Sequence, residues 1–265
     1  MPVNRLPHPR VPRSRRGRRV LVAATALLTT LAVALGTTTA PSSAKASKYP
    51  WHTNITATTF WVGEIFDPSA SDGSQRISAY DDRWYKRFGG CDGVRKNGDC
   101  RTERRTRSNG YFPRHMKPKE NPFYLDLPYD DVNVTKNFRS RGKVVPWANQ
   151  SAYRGKVKNR AYSLMKNRWV ELRKGNRRCY GQIQDAGPGQ YSDTRYVFGT
   201  KNQRPKNKRY GGAGMDVSPA LTGCLGFAST NGITRGVRWR FVDSRDVPKG
   251  PWTRIVTRSR GTNWG

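Results

Sequence analysis

Apolar residues along this chain fall into two patterns, one long block near the start and many short runs after it. The block, Val20 to Gly36, is seventeen residues without a charge. Beyond it helical periodicity is scarce. Short β-branched and aromatic runs are separated by glycine, proline and asparagine, the pattern of a small barrel or sandwich of strands. Thr56–Val62 (TATTFWV) reads as a strand. Trp169–Arg173 and Arg178–Gln184, either side of the turn Lys174–Arg177, read as a hairpin. Val237, Trp239 and Phe241 alternate with Arg238 and Arg240, which suits a strand with one buried face. Asn121–Pro128 (NPFYLDLP) reads as a buried strand, and Arg254–Thr257 as a last one. One helix start is clear. Ser218 is placed to cap free backbone N–H groups, and Pro219 occupies the first helical position, where its missing N–H costs nothing. That helix is short and ends about Gly226. The long polar stretches Asp67–Arg83, Arg101–Asn121 and Val132–Lys158 are expected to be loop insertions on the core, where a ligand groove would be built. No internal repeat or Pro/Ser linker divides the chain after the block.

Charge changes the reading of the first block. Seven arginines and no acid precede it, and small residues follow, with Ala44-Lys45-Ala46 fitting an A-x-A cleavage site. A basic head, a short apolar middle and small residues before a cut make residues 1–46 a secretory signal peptide, by either the general or the twin-arginine route. The block is short for a span of ~20 residues and is diluted by threonine and glycine, so no stable membrane span is expected after cleavage. Residues 47–265 then form one exported domain. The whole chain carries a net charge of +32, and losing eight basic residues with the leader leaves +24. Such basicity predicts a polyanionic neighbour, an anionic wall polymer among the candidates; dispersed charge that merely keeps an exported protein soluble is the plainer alternative. Basic residues cluster at Arg95–Arg107, Arg154–Lys174 and Lys201–Arg209, but no nucleic-acid motif accompanies them, so no specific nucleic acid is expected.

Four cysteines remain, Cys91, Cys100, Cys179 and Cys224, an even number that suggests two disulfides with three possible connectivities. Cys91 and Cys100 flank one short glycine-containing loop and pair most easily, leaving Cys179 with Cys224. Without a C-x-x-C pair, and with only His52 and His115 after the leader, no metal site is expected, nor any cofactor.

Two aspartates lie in turn contexts beside strands. Asp185 follows the strand ending at Gln184, and Asp216 precedes the Ser218 helix start. A carboxyl held at such a place and raised in pKa by burial can act as a general acid. Each also has a structural reading, Asp185 bonding its own turn and Asp216 complementing the helix dipole. Flat aromatic rings would complete a sugar-binding site. Trp51, Trp61, Trp84, Tyr85, Tyr111 and Tyr191 sit in polar, loop-like surroundings, whereas Trp169 and Trp239 lie in alternating strands and read as core.

The order Thr58-Thr59-Phe60-Trp61, a glycine-flanked Cys91, IQDAGPG, GMDVSPALTGCLGF and GITRGVRWRFVDSRDVP resembles the double-psi β-barrel superfamily. Its members include expansins, barwin, rare lipoprotein A and the family 45 glycoside hydrolases. The likeness covers Gln182–Pro248 well and Thr56–Gly93 loosely. It implies an all-β, six-stranded double-psi barrel with long loop insertions and a short helix, open along a groove for a polysaccharide. By that resemblance Asp216 corresponds to the proton-donating aspartate, Asp185 to a second groove aspartate and Thr59 to a groove threonine; of the loop aromatics, Trp61, Trp84 and Tyr191 are the expected substrate-binding rings. The second catalytic carboxylate of the hydrolases has no clear match; Glu64, Asp67, Asp81 and Asp82 all stand in the right region. The expectation is a secreted, wall-associated monomer that binds, and remodels or cleaves, peptidoglycan, chitin or cellulose. A glycosidase, a lytic transglycosylase and a non-cleaving binder all stay open, as does a non-enzymatic polyanion binder on the same scaffold.

Overall fold

The computed structural model describes residues 48–71, 73–259 and 261–262, and the expected leader, residues 1–46, lies outside them. Its strands are β1 (His52–Thr59), β2 (Val94–Lys96), β3 (Asp99–Arg101), β4 (Tyr124–Leu127), β5 (Trp169–Lys174), β6 (Arg177–Ala186), β7 (Met215–Val217) and β8 (Thr234–Val242). Short helices lie between them: α1 (Trp84–Phe88), α2 (Thr135–Val144), α3 (Ser151–Arg154), α4 (Thr194–Phe198) and α5 (Pro219–Leu225). Among the described residues no helix is long and apolar enough to cross a membrane.

Six strands close into a mixed barrel in the order β1-β7-β4-β6-β5-β8, while β2 and β3 form a separate ribbon. The barrel has two parallel contacts, β1 with β7 and β4 with β6, and the rest are antiparallel. The all-β barrel expected from the strand patterning is what the chain forms. Alternation on β8 puts Val237, Trp239 and Phe241 inside and leaves Arg238 exposed. The hairpin joins Lys174 to Arg177 through two residues, and Gly175 takes the φ of +53° such a tight loop demands. Helix α5 begins as its sequence requires: the Ser218 Oγ accepts the Leu221 N–H at 3.3 Å, and Gly226 ends the helix at φ +67°.

Both expected disulfides form. Cys91–Cys100 closes across the β2–β3 ribbon, and Cys179–Cys224 ties β6 to α5 with a Cα–Cα distance of 6.3 Å. Gly181 makes that contact possible, since a Cβ there would lie 2.8 Å from Leu125 and 2.9 Å from Leu221.

Some expectations are corrected. Strand β1 starts at His52, whose ring stacks 4.0 Å from Trp239, and Phe60–Val62 leave the ladder to pack the first insertion. Arg254–Thr257 is not a strand. Thr257 instead donates its backbone N–H to the Gln182 Oε1 at 3.0 Å, and its hydroxyl accepts the Asn121 backbone N–H at 2.9 Å. The polar stretch Val132–Lys158 contains α2 and α3. Helix α2 escapes apolar periodicity because the residues it buries are Asn137 and Arg141. The Arg141 guanidinium pairs with Asp131 at 2.9 Å and collects the carbonyls of Lys156, Val157, Asn159 and Tyr162, so a buried cation organises this insertion.

Candidate functional site

A groove of about 650 Å³ opens where β1, β7, β4 and β6 lie side by side. Strand pairing brings its acids together. Thr58 and Asp216 are partners across β1 and β7, and Asp126 and Asp185 are partners across β4 and β6. Asp126 lies between the other two aspartates, its Oδ1 accepting the Asp216 backbone N–H at 2.6 Å. Residues far apart in the chain thus become neighbours through strand order alone.

The hydrogen bonds separate the roles of these acids. Asp185 is buried and accepts three N–H groups: Ala79 at 2.7 Å, Ala186 at 2.8 Å and the Gln75 Nε2 at 2.7 Å. Burial pushes its carboxyl up to about 7, and the Ala79 and Ala186 bonds, favouring the anion, oppose that rise. Asp185 is therefore an acceptor that anchors the 75–79 loop over the groove. Asp126 is buried, and burial with the charges of Asp216 and Asp185 beside it holds its pKa well above the usual range. Asp216 is half-buried and receives its bond from the Thr58 hydroxyl. Burial, followed by the charges of Glu64 and Asp185, pushes it up to about 8, so it keeps its proton at neutrality. Glu64 lines the same groove, pushed up to about 7 by burial. Asp130 also lines it, but its carboxylate is taken by the Val132 and Asn133 backbone N–H groups, each at 2.9 Å.

The sequence-derived residues fare unevenly. Asp185, Asp216, Thr59 and Tyr191 all line the groove. Thr59, however, is paired with Thr222, their hydroxyls 3.2 Å apart, and Thr58 is the threonine on Asp216, one place along a strand whose side chains alternate in direction. Trp61 and Trp84 are not stacking platforms. Trp84 is 1% exposed and packs edge-on against Tyr124, while Trp61 is 6% exposed and donates its indole N–H to the Cys100 carbonyl at 2.8 Å. Both rings are too apolar to stay in the wet loops their neighbours suggested, and they become the cores of the first insertion. Exposed rings on the groove are Tyr191 at 52%, Tyr210 at 56% and Phe66 at 61%. Of the stand-ins for a second carboxylate, Glu64 alone lines the groove. Asp67 is exposed and bonds Ser69, and Asp81 is buried in ion pairs with Arg87 and Lys166.

Asp126 had a signal in the sequence, a lone charge within the apolar run Phe123–Leu127. Gln75, Phe66 and Tyr210 had none, since nothing local distinguishes a loop residue that faces a groove from one that faces solvent. Among the described residues no group of three or more His, Cys, Asp or Glu is arranged to hold a metal ion. No family model, curated protein or solved structure matches this chain.

Proposed function

We propose that this groove binds a polysaccharide strand of the cell wall and that Asp216 donates a proton to a glycosidic oxygen. The observation that carries the reading is the Asp216 carboxyl, neutral at neutral pH, open to the groove and bonded by one hydroxyl. A general acid needs this combination of proton and access. The exposed rings of Phe66, Tyr191 and Tyr210 supply flat apolar surface for sugar rings. As the C1–O bond breaks, the Asp216 proton passes to the departing oxygen. Glu64, in its ionised form, accepts a proton from the water that attacks C1, the two-carboxylate arrangement of glycoside hydrolysis. The strand order, with parallel contacts β1–β7 and β4–β6 on either side of β4–β7, supports a double-psi barrel of the expansin and rare lipoprotein A kind. The basic head and apolar block of residues 1–46, together with two disulfides, support export to the wall.

A non-cleaving binder is the second reading. It is favoured by the number of groove acids spent on backbone N–H groups, Asp126, Asp130 and Asp185 among them. Incubation with insoluble peptidoglycan, chitin and cellulose at low and high salt separates these readings. Stacking in a groove keeps the protein bound at high salt, whereas simple charge adhesion is screened away. Soluble fragments released by the protein but not by Asp216→Asn establish cleavage. Salt-resistant binding with no fragments leaves the binder, and loss of all binding at high salt refutes both readings.

A further inference from the structure

A second groove, of about 1230 Å³, has the opposite character. It runs between the Glu103–Tyr111 segment, the β5–β6 turn and the end of α5, and exposes the guanidinium-bearing side chains of Arg104, Arg107, Arg177, Arg178 and Arg254. Among the described residues none of these five pairs with a carboxylate within 4 Å. Glu103 is the one acid on the walls, and it already accepts the Arg114 N–H at 2.8 Å and faces His115 at 3.4 Å. The arginines come from sequence positions up to 150 residues apart, so their convergence is a product of the fold.

The wall that carries them is rigidly held. Arg105 is buried and donates to the Asp92 carboxylate at 2.8 Å, and Asp92 in turn accepts from the Tyr124 hydroxyl at 2.8 Å. The Cys179–Cys224 bond holds the hairpin to α5 on the other side. Five like charges gathered on preformed walls repel one another until an anion lies among them. Guanidinium forks match oxyanions in two-point contacts. A groove of this volume exceeds the ordinary small-molecule range of ~300–1,000 Å³ and suits a chain. None of its aromatic residues is fully exposed: Phe227 is buried, and Tyr111 and Trp252, both half-buried, pack edge to face with Phe123. Bases or sugar rings would find little to stack on, whereas a polymer whose charge sits in its own backbone presents an anion to each arginine in turn.

We propose that this groove docks a phosphodiester-linked polyol chain, recognised through its phosphates alone. The inference does not rest on the glycan reading of the carboxylate groove. Titrating the full chain into end-labelled poly(glycerol phosphate), followed by fluorescence anisotropy at rising NaCl, tests it. With about five phosphates neutralised, affinity should drop on the order of a hundredfold between 50 and 200 mM salt. Substituting glutamine for Arg104, Arg107, Arg177 and Arg178 together should weaken binding about tenfold or more and flatten the salt slope. The same number of charges removed from exposed Lys136, Arg139, Lys143 and Lys158 should leave it within about twofold. Should the first variant not fold, Arg107→Gln with Arg178→Gln is the fallback, because among the described residues neither side chain makes a hydrogen bond, whereas Arg104 and Arg177 donate to the Ala228 and Cys224 carbonyls. Equal losses in the two sets would mean diffuse charge and overturn the proposal. Tighter binding of a thymidine oligonucleotide of equal charge would also overturn it, in favour of a nucleic-acid groove.

Discussion

Asp216 and Asp185 show how two similar side chains acquire different chemistry from their partners. Asp185 is surrounded by N–H donors, while Asp216 meets a hydroxyl and open space. Asp216→Asn keeps the shape but cannot give up a proton; fragment release should fall ~10²–10⁴-fold, with affinity for the insoluble glycan changed by less than about threefold. The pH profile of release follows from the same residues. Glu64 must be ionised, which is half achieved at about 7, and Asp216 must be protonated, which is half lost at about 8. The expected profile is a narrow bell between those limbs, and Glu64→Gln should abolish activity rather than shift it. Stability responds with a definite sign. An aspartate raised from 3.8 to about 8 keeps its proton when the unfolded chain has lost it. Its contribution is unfavourable as pH rises from about 4 to 8 and constant above, at about 1.4 kcal/mol per unit of displacement as an upper bound. Urea melts should therefore show a smaller loss of stability between pH 5 and pH 8.5 for Asp216→Asn than for the parent chain.

At the scale of elements, the parts written into short stretches of sequence formed as read. The β5–β6 hairpin needs only two short strand-forming runs and a glycine turn between them, and α5 needs only Ser218, Pro219 and Gly226, each acting within one turn of helix. Helix α2 obeys a different rule. Its buried side chains are Asn137 and Arg141, so its position depends on Asp131 and on carbonyls from the loop after α3. Breaking a buried ion pair leaves its other member uncompensated. Arg141→Ala should cost ~3–5 kcal/mol in denaturant unfolding, and proteolysis within the 132–165 insertion should precede loss of the barrel. If that variant melts like the parent, the guanidinium is not what organises the insertion.

The whole molecule places an acidic groove and an arginine-lined groove on one small barrel. They are not independent in structure, since Thr59 lines one, Thr222 lines the other, and their hydroxyls are 3.2 Å apart. A net charge of +32 over the full chain makes self-repulsion a global feature. Raising NaCl from 20 to 200 mM shortens the reach of that repulsion. It should raise the melting temperature, by about 2–4 °C for each kcal/mol relieved. A melting temperature that falls with salt would mean that the ion pairs outweigh the excess positive charge.

Periodicity, turn chemistry and capping act between neighbours in the chain, and from them the sequence by itself determined the all-β class, the hairpin, helix α5 and an even set of cysteines suited to two bridges. It also marked Asp185 and Asp216, because each sits at a strand end or turn. Only the tertiary structure decided what surrounds them. Asp126 reaches Asp216 across 90 positions, Gln75 reaches Asp185 across 110, and Arg107 shares a groove with Arg254. Burial and charge coupling set pKa values and ring exposure, and both depend on distant segments that pack nearby. Trp84 and Tyr191 have similar polar neighbours in sequence, yet one is sealed in a core and the other stands open on the rim, because hydrophobic burial is allotted by the fold and not by adjacent residues.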